Sequence, residues 1–127
     1  MRVTFVAMIL VLLLAIAVCW VSLAFTEHVV GEIDVMRVKV LELQERGDMP
    51  AAQEQLTQLS AAWARYAKLL EMTSSHEDLH SITELIISAD SDLRNGDIKD
   101  YRRSMALLGE LIDHILDVQR LMITNVI

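Results

Sequence analysis

The chain has 127 residues, 54% of them hydrophobic, one cysteine and a formal net charge of −7. All 18 acidic side chains lie after residue 25, together with 10 of the 11 basic ones, so the part from Thr26 onward carries a net −8. A surface of that sign, with no Lys or Arg cluster to interrupt it, repels phosphate backbones and excludes nucleic-acid binding; a single cysteine excludes a disulfide framework.

No residue from Val3 to Phe25 is charged. At 1.5 Å per residue this stretch covers roughly 34 Å, enough to cross a hydrocarbon layer of about 30 Å. Trp20, near its far end, suits a membrane interface. Arg2 lies before the stretch and the acidic part after it, so the positive-inside bias predicts a single-pass signal anchor in the plasma membrane, N-terminus cytoplasmic and domain extracytoplasmic. Residues 1–25 are then the transmembrane anchor and 26–127 the exported domain. The competing reading is a signal peptide cleaved after Ala24, since Ser22-Leu23-Ala24 places small residues where a signal peptidase inspects them. Both readings export the domain. Cys19 follows Ile16, Ala17 and Val18, a poor lipidation context.

The first extramembrane stripe runs Val29, Ile33, Met36, Val40, Leu43 in alternating steps of four and three, which predicts a helix continuing from the anchor. Gly47 and Pro50 bracket its end, and Asp48 is placed to cap the next helix. That second helix carries Ala52, Leu56, Leu59, Trp63, Tyr66 and Leu70 inward. Thr73, Ser74 and Ser75 then break the pattern, and Ser74 with Glu77 has the form of a capping box. The third stripe is Leu79, Ile82, Ile86, Ala89, Leu93, stopped by Asn95-Gly96. Asp97 opens a fourth helix with Ile98, Tyr101, Met105, Leu108, Ile112, Ile115, Val118 and Met122 inward. No strand pattern or internal repeat is present. Short connections between amphipathic helices predict an all-α fold: an antiparallel four-helix bundle, or three helices on a helical stalk, with the heptad-like steps also compatible with a dimeric coiled coil along the first helix. The apolar ending from Leu121 to Ile127 returns to the membrane in such a bundle, so Val126 and Ile127 are expected to be buried against lipid or a partner.

His76-Glu77-Asp78-Leu79-His80 reads as H-E-x-x-H, in which two histidines one turn apart bind zinc and the glutamate activates water. Against that chemistry stand the charged Asp78, the lack of a strand to hold a peptide, and the ordinary preference of acids for the first turn of a helix. A fold-back about Asn95-Gly96 brings His114 near the His76–His80 turn, so His76, His80 and His114 form a candidate metal set for zinc or iron. The plainer reading makes them boundary histidines. Trp63 and Tyr66 read as core aromatics, and the seven methionines as packing. No glycine-rich phosphate loop or nucleophile elbow is present.

The order of an N-terminal anchor, Trp63 within a helix, His76-Glu77 opening the next, and a chain ending Asn125-Val126-Ile127 resembles domain-of-unknown-function family 4363, small anchored bacterial proteins best represented in Gram-positive spore-forming lineages. The resemblance covers nearly the whole chain. It implies an extracytoplasmic helical domain on the plasma membrane working beside another membrane protein, with no catalytic residues to carry over. The expectation is therefore a non-enzymatic accessory or interaction protein without a cofactor, whose acidic domain binds a membrane-protein partner or its own copies. A metal-binding domain using the three histidines comes second, and a zinc hydrolase third.

Overall fold

The computed structural model describes residues 1–72 and 75–126, with the side chains at 122, 123, 125 and 126 outside that description. It contains four helices: α1 (Arg2–Glu45), α2 (Met49–Leu70), α3 (His76–Arg94) and α4 (Ile98–Val126). No strand occurs among the described residues.

The apolar segment and the first bundle helix are one element. α1 runs for 44 residues, about 66 Å, and nothing between Leu23 and Val30 breaks it, since neither Gly nor Pro interrupts that stretch. Burial marks the boundary instead. The apolar window contributes nothing to the interior, whereas Thr26, Val29, Val30, Ile33, Val40 and Gln44 are buried. Val29, Ile33 and Val40 are 0% exposed, so α1 is a full wall of the bundle and not a stalk beneath three others.

The turns away from the apolar segment repeat one device. Gly47, at φ +81°, donates its N–H to the Gln44 carbonyl, and Asp48 donates to the Leu43 carbonyl. Gly96, at φ +78°, bonds to Leu93 while Asp97 bonds to Asp92 in the same pattern. This left-handed close satisfies the last carbonyls of a helix, and glycine adopts it without a Cβ penalty. The following aspartate then caps: the Asp48 carboxylate accepts from Ala51 N–H at 3.3 Å and that of Asp97 from Asp100 N–H at 3.4 Å. α3 begins after Ser75, whose side chain makes no cap bond. The capping box expected from Ser74 falls on residues 73 and 74, outside the described residues.

α1 packs on α2 and α4, and α3 packs on the same two, while no Cα atoms come within 8 Å across either diagonal among the described residues. Cross-links confirm the antiparallel neighbours. Arg120 reaches Glu27 at 3.0 Å and Arg37 reaches the Met105 carbonyl at 3.3 Å between α1 and α4; Trp63 Nε1 donates to Thr83 Oγ1 at 2.9 Å between α2 and α3. The expected stripes line the core with amendments: Met36, Leu43 and Ile98 are only half-buried against it. Tyr66 is half-buried, and Val118 is exposed while Gln119 is buried, because the steps from Ile112 to Ile115 to Gln119 follow the helical period and leave Val118 off the inward face. Leu121 is also exposed, and the side chains of Met122, Val126 and Ile127 lie outside the described residues.

Candidate functional site

The three histidines stand at exposed positions. His76 is the first residue of α3. His80, one turn on, directs Nε2 to Glu84 Oε1 at 3.1 Å. His114 lies across the interface on α4, in a shallow groove with Ser81, Glu84, Leu107 and Glu110. The ring nitrogens of the three do not gather within 4.8 Å as a set; among the described residues, the group of ligand-type side chains that does so is Asp92, Asp97 and Asp100. That cluster is a product of the α3–α4 turn, where Asp97 caps the helix on which Asp100 sits. The hydrogen bond with Asp97 and its negative charge hold the Asp100 carboxyl above its usual value.

A larger feature lies beside the apolar segment, between α1 and α2. A groove of about 1080 Å³ opens between them, with Gly31 and Val35 on one side and Ala61, Arg65 and Tyr66 on the other. Small residues open it: Gly31 on α1 and Ala61 on α2 each leave the facing helix room. Glu32 organises the rim: its carboxylate accepts the Tyr66 hydroxyl at 2.9 Å and lies 3.4 Å from His28 Nε2. The hydrogen bond and charge of Glu32 raise the Tyr66 pKa above its usual value. The Arg120–Glu27 pair ties the end of α4 to the same level of α1.

Val35 at the groove's edge is 69% exposed, and Val38 beyond it 41%, on the side of α1 turned from the core. This face lies outside the inward stripe of α1. Its signal was present: two valines off the core stripe of a helix otherwise charged on its outer side.

These features define an all-helical bundle built on a helix long and apolar enough to cross a membrane. The family model for the Domain of unknown function (DUF4363) matches residues 22–126, and the chain belongs to that family. No curated protein and no solved structure matches it.

Proposed function

We propose that the protein is a non-enzymatic, single-pass membrane protein whose α1 crosses the plasma membrane from a cytoplasmic N-terminus and whose acidic bundle, held against the outer surface, binds a membrane-protein partner or its own copies. The observation that carries this reading is the continuity of α1 from an exposed, lipid-length apolar stretch into the bundle core. A helix with 23 uncharged, unburied positions is stabler in lipid than in water, which supports this reading. Continuity then fixes the domain: the groove and the Glu32 rim sit within the first turns outside the bilayer, where another membrane protein presents itself. Support also comes from what the bundle exposes, small and apolar residues on α1 and α2 beside this end.

The test is topological. Protease added to intact cells after wall removal is expected to digest the chain beyond Thr26, while alkaline carbonate leaves it in the membrane fraction. Protection from protease overturns the orientation, and a mature N-terminus at Phe25 replaces the anchor with a cleaved leader.

The second reading is metal binding by His76, His80 and His114, favoured by one observation: Glu84, the partner of His80, shares a groove with His114. Stoichiometric zinc or iron in protein purified without a histidine tag is the result that establishes it.

A further inference from the structure

α1 carries a face that the bundle leaves unused. Outside the apolar segment it consists of His28, Gly31, Val35 and Val38, spaced three, four and three apart; Gly31 is half-buried and the other three exposed, and the first three also edge the α1–α2 groove. Backward into the segment the same alternation continues through Ala24, Val21, Ala17, Leu14 and Leu10. A strict seven-residue repeat along one side of a helix is the seam on which a second helix supercoils. Apolar residues on that seam are unremarkable within lipid; Val35 and Val38 lie beyond it, exposed to water.

Gly31 points the same way. Glycine inside a helix costs about 1 kcal/mol relative to alanine, and a close packing partner is the usual compensation. The other helical glycine has one within its own fold: a Cβ on Gly109 would stand 2.8 Å from the Arg37 guanidinium. A Cβ on Gly31 meets nothing within 4 Å. Within the bundle Gly31 only edges the open groove beside α2, where a Cβ has room, whereas a helix laid along the seam closes on it.

We infer that a second copy of this chain packs along this face, its α1 parallel to the first. The inference rests on reading α1 as a membrane-crossing helix, because copies inserted the same way can only be parallel and a two-fold axis along the seam makes the contact self-complementary. Val3 to Val38 spans roughly 53 Å; a strip about 10 Å wide buries roughly 500 Å² per copy, or about 1,000 Å² in all, the lower bound for a specific interface. Flanking charges agree at one level, where Asp34 of one copy, which also holds Arg37 of its own helix at 2.8 Å, meets Lys39 of the other. One turn nearer the membrane Glu27 and Glu32 oppose each other, but both are already engaged, Glu27 with Arg120 and Glu32 with Tyr66 and His28.

The native cysteine makes the test clean. Cys19 lies half-way round α1 from His28 at about 100° per residue, on the side turned from the seam. Full-length chain in phosphatidylethanolamine–phosphatidylglycerol vesicles is oxidised in three forms: wild type, Cys19→Ala with Val35→Cys, and Cys19→Ala with Ile87→Cys, an exposed position on α3. The Val35→Cys chain is expected to form a disulfide-linked dimer and the other two to pair without being cross-linked, since thiols more than about 7 Å apart at Cα cannot be bridged. Adding Gly31→Leu should abolish that dimer while the thermal unfolding of the bundle persists. A monomeric Val35→Cys chain, equal linking through Ile87→Cys, or a dimer that survives Gly31→Leu each overturns the inference. In native membranes, an adduct of Val35→Cys with a different protein overturns it as well. Carbonate extraction separates the two levels: a chain that washes off sinks the membrane reading together with the dimer, and a retained chain without the disulfide sinks the dimer alone.

Discussion

Trp63 is 3% exposed, and its one polar atom is satisfied, Nε1 donating to Thr83, which in turn donates to the Leu79 carbonyl. Truncation to alanine removes both the packing and the bridge between α2 and α3. Trp63→Ala is expected to cost about 3–5 kcal/mol in chemical denaturation, and a cost below about 1 kcal/mol contradicts its core position. Tyr101 presents the opposite case. Its side chain is fully buried and its hydroxyl has no partner among the described residues. Burial pushes its pKa up to about 12 from 10.0. The folded state thus keeps a proton that the unfolded state releases, so stability falls as pH rises from about 10 to about 12. Tyr101→Phe should be as stable as wild type or more so at pH 7, and its advantage should widen across that alkaline window. Urea melts at both pH values decide it. The burial of both aromatics was legible from their place on a stripe. The Trp63–Thr83 bond and the unpartnered Tyr101 hydroxyl were not, because they depend on how two helices meet.

The helix ends and glycines are where sequence spoke most directly. Gly47-Asp48 and Gly96-Asp97 announced their turns, since few residues adopt positive φ and few cap as aspartate does. The same chemistry explains the lure at His76 to His80: Glu77 and Asp78 occupy a first turn, where acids favour the exposed amides. Two substitutions test this level. Asp100→Asn removes a charge from beside Asp97 and Asp92. Because the folded state raises the Asp100 pKa, the native carboxyl loses stability as pH rises from its ordinary value near 3.8 through the raised one. The asparagine variant is expected to melt higher at pH 7 and to lose that advantage in strong acid. Gly31→Ala and Gly109→Ala form the second test. Helix propensity favours each by about 1 kcal/mol, but alanine at 109 must displace the Arg37 guanidinium from the Met105 carbonyl. Stability should rise for Gly31→Ala in dilute detergent and not for Gly109→Ala.

For the molecule as a whole, the stripes fixed how many helices there are and which sides face inward, because the buried positions repeat with the helical period. They left open whether α1 belonged to the bundle or stood beneath it. Contacts such as Arg120 with Glu27 and Arg37 with Met105 decide that, and they join residues 93 and 68 positions apart. The outer seam escaped notice for a related reason: it concerns a surface, and a reading tuned to cores discards surfaces. Continuity of α1 gives the seam a rotational phase. One alanine inserted between Phe25 and Thr26 turns everything beyond it by about 100° and should abolish the Val35→Cys disulfide. Seven inserted residues bring the face round again and should restore it. Indifference to the one-residue insertion would show that the two halves of α1 act separately.

An unjointed α1 also makes the bundle a lever. With the apolar stretch set in a bilayer as proposed, its roughly 34 Å exceeds a film of about 30 Å, and a helix absorbs such an excess by leaning. The bundle is built on that same rod, so it leans too. Residues 26–46 place the Gly47-Asp48 turn about 30 Å beyond the lipid, where each 10° of tilt sweeps it sideways by on the order of 5 Å. A thinner membrane therefore moves the far end of the bundle across the surface by more than the width of a side chain, and the thickness of the film becomes a position in the water above it.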